Sequence, residues 1–236
     1  MLNKEKHQLV MGQILRDLYT NPSVGPLLGF KGGTCAYLFC GLTRFSVDLD
    51  FDLLKNDEAT QKRLFLHLTK LLKPHGLIKE RYLKRHTIFF LISYGEDDHN
   101  IKIEIRRHSQ IPNLLQHYEH RDYLGIPLLV AKKSFLFASK LVALSARTSL
   151  AMRDIYDVWF FAKNNWDIDQ EVVKQMSDTN LKELIKKSIS IIQQVKNGEI
   201  LQGLGEILSP QEKNWVKEHL RQEVVFLLKN RLTVIE

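Results

Sequence analysis

The stretch Phe30 to Asp52 reads FKGGTCAYLFCGLTRFSVDLDFD, with adjacent glycines at 32 and 33 and aspartates at 48, 50 and 52. Side chains two apart in a strand share a face. A strand over 45–53 therefore turns Val47, Leu49, Phe51 and Leu53 to a core and Asp48, Asp50 and Asp52 to the other side. Upstream, a short apolar strand over 26–30 runs into the glycine pair. TCAYLFC (34–40) reads as a buried helix ending at Gly41, where a left-handed C-cap fits. The stretch thus predicts strand, glycine pair, helix, and a second strand bearing crowded carboxylates.

Working outward, residues 4–20 carry Leu9, Ile14, Leu15 and Leu18 at helical spacing and stop at Asn21-Pro22. An amphipathic helix is expected over 59–72. Strands are expected over 87–94 and 101–106, joined by the polar turn GEDDHN. From about Pro127 the pattern becomes helical, over 134–147, 153–163, 170–175 and 181–196. Ser209-Pro210-Gln211-Glu212 opens a last helix with a capping box. The expected organisation is α+β: a mixed α/β domain over 1–126 and an all-helical domain over 127–236.

Composition narrows the class. A 236-residue chain with 44% hydrophobic residues can bury a proper core. No long uncharged apolar run occurs, and MLNKEKHQLVMGQIL carries charges where a signal peptide needs an apolar core, so neither membrane insertion nor secretion is expected. Cys35 and Cys40 have neither a metal-ligand spacing nor a disulfide framework, which suits a reducing cytoplasm. The net charge is +7, with basic residues concentrated in KERYLKRH (79–86) and IRRH (105–108), a field that favours polyanions.

Two aspartates on one strand face can converge on a hard cation, with a substrate's phosphates completing its shell. IKIEI (101–105) sets isoleucines on one face and Lys102 and Glu104 on the other, so Glu104 is the candidate third carboxylate. The plainer reading is a solvated acidic edge strand, and Asp52 is the residue best left to it. Like charges on one face repel, however, unless a cation neutralises them. Gly32 and Gly33, lacking a Cβ, allow the backbone to approach a phosphate at a helix N-terminus, with Thr34 adding a hydroxyl. His117 and His120 form an H-x-x-H without a third ligand at useful spacing and read as surface histidines, and Trp159, Phe160 and Phe161 read as core.

The order of these features resembles the polymerase-beta-like nucleotidyltransferase superfamily. More closely, Lys31 to Thr34, Arg44-Phe45-Ser46 and Asp48-Leu49-Asp50-Phe51 resemble the AbiEii-type toxins of abortive-infection and type IV toxin–antitoxin systems. Lys140 and Arg147, followed by Arg153-Asp154-Ile155-Tyr156-Asp157, match a second block of that family. At a separation of seven residues, Lys140 and Arg147 share one face of a helix. The structural reading of the same block is a solvated face with an Arg153–Asp157 surface pair. The resemblance covers roughly residues 25–165, and it departs from the superfamily in offering Glu104 where aspartate is common.

The resemblance implies a polymerase-beta-like core followed by an all-helical half, and transfer of a nucleoside monophosphate from an NTP to a hydroxyl with release of pyrophosphate. Asp48, Asp50 and Glu104 would hold two magnesium (or manganese) ions about 3.5–4 Å apart. Gly32, Gly33, Thr34, Arg44 and Ser46 would form the nucleotide site. Lys140, Arg147 and Arg153 would meet the triphosphate, with Asp154 or Asp157 orienting those cations or touching the nucleotide. The resemblance implies tRNA or another RNA as the favoured acceptor, and the basic clusters at 79–86 and 105–108 suit an RNA through phosphate contacts. A protein or small-molecule acceptor, a non-catalytic NTP- or RNA-binding module, and a metal-dependent nuclease are the competing readings. The resemblance also implies a cognate antitoxin encoded beside the chain, with no direct binding predicted.

Overall fold

The computed structural model describes residues 2–55, 57–95, 99–107, 111–147 and 150–235. His108 of the basic run and residues 96–98 of the polar turn lie outside them. The chain divides into two units, Met1–Lys132 and Lys133–Glu236.

The first unit is built on a seven-stranded mixed sheet. Its strands are β1 (Leu28–Lys31), β2 (Leu49–Leu53), β3 (Leu77–Leu83), β4 (Thr87–Ser93), β5 (Ile101–Arg106), β6 (Tyr118–Tyr123) and β7 (Ile126–Ala131). They lie in the order β3-β4-β5-β2-β1-β7-β6. β1 runs parallel to β7 and β2 parallel to β5, while the other neighbours are antiparallel. The helices are α1 (Lys4–Thr20), α2 (Gly32–Cys40) and α3 (Glu58–Leu72). Phe30, Phe51, Phe90, Ile88, Ile103 and Ile105 are fully buried on one face of the sheet. Tyr19 of α1 meets Phe51 there, and Phe65 of α3 meets Phe90. Each such side chain removed from water contributes about 1.5–3 kcal/mol. α1 is capped by the Asn3 side chain and buries Met11, Ile14, Leu15 and Leu18. The expected apolar residue Leu9 is instead 62% exposed, on the outer side of that helix.

The alternation rule placed the second strand too early. β2 begins at Leu49, so Val47 and Asp48 lie in the segment leading into it. Asp52 is not solvated as expected. It is 5% exposed, its carboxylate 2.5 Å from Lys31 Nζ and accepting a 2.8 Å hydrogen bond from the Tyr118 hydroxyl. Burial first, then the Asp52 charge, holds the Tyr118 hydroxyl well above its usual pKa, so it stays a donor. Tyr118 is on β6 and Asp52 on β2, and its ring crosses Gly29, which pairs with Asp52 in the register of β1 and β2. His117 is likewise buried, beside Gln116 Nε2 at 3.2 Å, and only His120 is exposed.

The second unit is helical: α4 (Lys133–Ala146), α5 (Met152–Lys163), α6 (Gln170–Ser177), α7 (Leu181–Gln193), α8 (Pro210–Trp215) and α9 (Arg221–Val234). The capping box at Ser209 and Glu212 forms with both hydrogen bonds present. A π-helical turn, Val216–Leu220, joins α8 to α9. The aromatic run of α5 is core: Phe161 stacks on Trp166 at 4.2 Å, and Trp159 lies 4.5 Å from Trp215 while donating to Glu223.

Candidate active site

In the first unit, the strand–glycine–helix–strand motif folds onto itself. Gly32 has φ +80°, a conformation that disfavours any side chain, and a Cβ there would come within 2.5 Å of Asp50 Oδ2. A Cβ on Gly33 would come within 2.6 Å of the Arg44 guanidinium and 2.9 Å of Ser46 Oγ. The space the glycines leave is therefore taken by the motif's own side chains. Thr34 donates to the Asp48 carbonyl and lies 2.9 Å from Ser46 Oγ, pinning the segment before β2 against α2. Arg44 is 2% exposed and donates to the Phe45 carbonyl. Gly32, Gly33, Thr34, Arg44, Ser46, Asp48 and Asp50 thus form one packed cluster.

Glu104 joins it through the sheet. β2 and β5 pair in parallel with Asp50 opposite Glu104, so the two carboxylates share a face as neighbours. Lys102 lies two residues earlier on that face, its ammonium 3.3 Å from Asp48 and 3.5 Å from Glu104. Sequence reasoning placed Lys102 on this face but gave it no part. Its signal was the K-x-E spacing in a strand next to an acidic one.

The donor set is all carboxylate oxygen, the kind that suits magnesium or manganese. Among the described residues, no three His, Cys, Asp or Glu side chains converge closely enough to hold a metal ion. The Lys102 ammonium offsets part of the negative charge of the acidic cluster. The donors fit a divalent cation in kind, and binding one would require Lys102 to give way.

Asp50 carries the strain of this crowding. Packed under the Gly32 backbone, its carboxyl is pushed above its ordinary pKa by burial; Lys102 opposes the rise, Asp48 adds to it, Lys31 opposes it and Glu104 adds to it. The folded chain therefore holds this proton over a pH range in which the unfolded chain has lost it. Stability falls as pH rises from the ordinary aspartate value near 4 through the raised one. In chelator, Asp50→Asn removes that penalty and should raise the Tm at neutral pH by about 2–4 °C for each kcal/mol relieved. Differential scanning fluorimetry checks this, and the gain should vanish below about pH 4.

The second block assembles within the second unit. Lys140, on α4, lies 2.9 Å from Asp154 and 2.9 Å from Asp157, both on α5 and at most 1% exposed. Arg147, the residue after α4, lies 2.7 Å from Asp154. Asp157 therefore faces inward to Lys140 and does not lie on a solvated face, as the plainer structural reading would have it. Arg153 is half-buried on α5.

No curated protein sequence matches the chain. Solved structures with the same fold include a candidate nucleotidyltransferase from H. pylori, with a TM-score of 0.61 and 18% identity over 100% of this chain and 99% of that one. Another is MenT4, a nucleotidyltransferase toxin from Mycobacterium tuberculosis, with a TM-score of 0.57 and 16% identity over 99% and 93%. At these identities the likeness establishes the fold. The family described as nucleotidyl transferase AbiEii toxin, type IV TA system, matches residues 13–220, nearly the whole chain. The chain therefore belongs to the AbiEii nucleotidyltransferase toxins of type IV toxin–antitoxin systems.

Proposed function

We propose that this nucleotidyltransferase moves a nucleoside monophosphate from an NTP to a hydroxyl of tRNA in a magnesium-dependent reaction, and that Asp48, Asp50 and Glu104 are its catalytic carboxylates. The observation that carries the reading is the register of β2 and β5, which sets Asp50 beside Glu104, with Asp48 linked to Glu104 through Lys102. The acceptor oxygen attacks the α-phosphorus as the bond to the β-phosphate oxygen breaks and pyrophosphate leaves. Glu104, with its side chain 41% exposed, accepts the hydroxyl proton. Magnesium held by Asp48, Asp50 and Glu104 would supply charge neutralisation at the phosphates and lower the pKa of the attacking hydroxyl. The first turn of α2, at Gly32, Gly33 and Thr34, seats phosphate oxygens, with Arg44 and Ser46 fixing its shape from beneath. Asp154 and Asp157 hold the Lys140 ammonium in position as a point charge for the triphosphate, and Arg147 and Arg153 add forked contacts.

A net charge of +7 and the basic side chains around β3 support an RNA acceptor. The thiols of Cys35 and Cys40 fit a cytoplasmic site of action. A type IV system implies an antitoxin, and no direct contact with it is proposed.

The test is incubation with magnesium and each of four α-32P-labelled NTPs, with and without total tRNA. Label on tRNA is expected with one or more of the NTPs; label on the protein itself, or on neither, overturns the tRNA acceptor. The Lys102 pairing to Asp48 and Glu104 favours one rival, a binding module without turnover. Magnesium that leaves NTP affinity unchanged would favour that rival.

A further inference from the structure

The acidic row does not stop at Glu104. The strand registers continue it, with Glu104 opposite Phe89 on β4 and Phe89 opposite Tyr82 on β3, so Asp50, Glu104, Phe89 and Tyr82 share one face of the sheet. Successive strands are about 4.8 Å apart, which sets the two aromatic side chains one and two strands beyond Glu104. Their rings are stacked, with centroids 4.6 Å apart and planes 5° from parallel. The Lys84 ammonium lies 4.2 Å from the centre of the Tyr82 ring. It cannot share a ring face with Phe89 at that distance, so it covers the other one.

We propose that the Tyr82–Phe89 stack is a platform for a nucleobase of a single-stranded RNA acceptor, with Lys84 as a flexible cover that yields to the base and meets its phosphate. The inference rests on the RNA-acceptor reading above. Both rings are half-buried on a strand pair at the sheet edge, where a structural aromatic pair would be expected to turn to the core face with Ile88 and Phe90. Aromatic faces stack on any base, and cations flanking them track the backbone. Charge complementarity supports RNA: Lys84 and Arg106 fall on the face of Tyr82 and Glu104, and Lys79 and Arg85 are exposed on or beside these strands, against one exposed acid on β3, Glu80, on the same face as Tyr82. A base held here would lie on the same sheet face as the proposed proton acceptor.

The test measures fluorescence anisotropy of a labelled single-stranded oligoribonucleotide and of unfractionated tRNA, without NTP, on wild type, Tyr82→Leu, Tyr82→Trp and Phe89→Leu. Tyr82→Leu and Phe89→Leu should weaken RNA binding by about 10-fold or more. Tyr82→Trp should restore it, and NTP affinity should not change in any variant. Circular dichroism verifies folding; if the leucine variants unfold, quenching of the added indole fluorescence of Tyr82→Trp by the oligoribonucleotide, relative to wild type, carries the test, and no added quenching overturns the platform. RNA binding unchanged in Tyr82→Leu overturns the platform and leaves the RNA-acceptor reading standing. Wild type that binds no RNA overturns both. RNA binding that depends on Tyr82 without transfer of label to RNA keeps the platform and overturns the acceptor.

Discussion

Replacing Asp48 by asparagine should reduce label transfer by roughly 1000-fold, the scale of several kcal/mol attached to metal-assisted charge stabilisation, while leaving the fold intact. The backbone at this position is held by the Thr34 hydroxyl on the Asp48 carbonyl, a contact the side chain does not make. An asparagine amide keeps the shape and removes the charge. Lys102, 3.3 Å from Asp48 and 3.5 Å from Glu104, would keep one anionic partner, so no buried cation is left alone. The expected result is an unchanged Tm with lost turnover, read by scanning fluorimetry beside the labelling assay. An Asp48→Asn protein that transfers label at the wild-type rate would remove Asp48 from the site.

Lys140→Met should have the largest effect on stability. Asp154 and Asp157 are 1% and 0% exposed, and each lies 2.9 Å from the Lys140 ammonium. Removing one partner of a buried ion pair costs about 3–5 kcal/mol, because the carboxylates stay buried without the cation they were packed against. For a chain of this size that corresponds to a Tm lower by roughly 6–20 °C. Arg147 partly compensates at Asp154 but is itself 42% exposed, so its contribution is small. Transfer should be lost as well. The triple variant with Asp154→Asn and Asp157→Asn separates the two effects: it should recover most of the stability and none of the activity. Recovered activity would make Lys140 a structural residue.

Where packing is local the sequence was informative, and where it is long-range it was not. The KGGT and RFS-x-DLDF segments lie within one continuous stretch, and the contacts among Gly32, Gly33, Thr34, Arg44, Ser46 and Asp50 are made inside it. The start of β2 was misplaced because Val47 continues the apolar alternation although no strand pairing reaches it. Three strands escaped notice. β3 (LIKERYL) and β6 (YEHRDY) are sheet edges whose side chains are mostly exposed, so they lack an apolar period, and β7 follows directly from β6 as a short continuous apolar run. The platform of Tyr82 and Phe89 depends on two successive strand registers and had no signature in the chain. Asp52 was read as a surface acid because its donors, Lys31 and Tyr118, are 21 and 66 residues away.

The Tyr118 ring, lying across Gly29 to reach Asp52, ties three distant positions into one allele. A methyl group at 29 collides with the ring, so the site admits drift only after 118 has become small. That first change strips a hydroxyl donor from a carboxylate that is 5% exposed. Each single step is therefore harmful, and the route between permitted combinations passes through an intermediate less fit than either end. Glycine at 29 is held there by an acid on the neighbouring strand that it never touches with a side chain of its own.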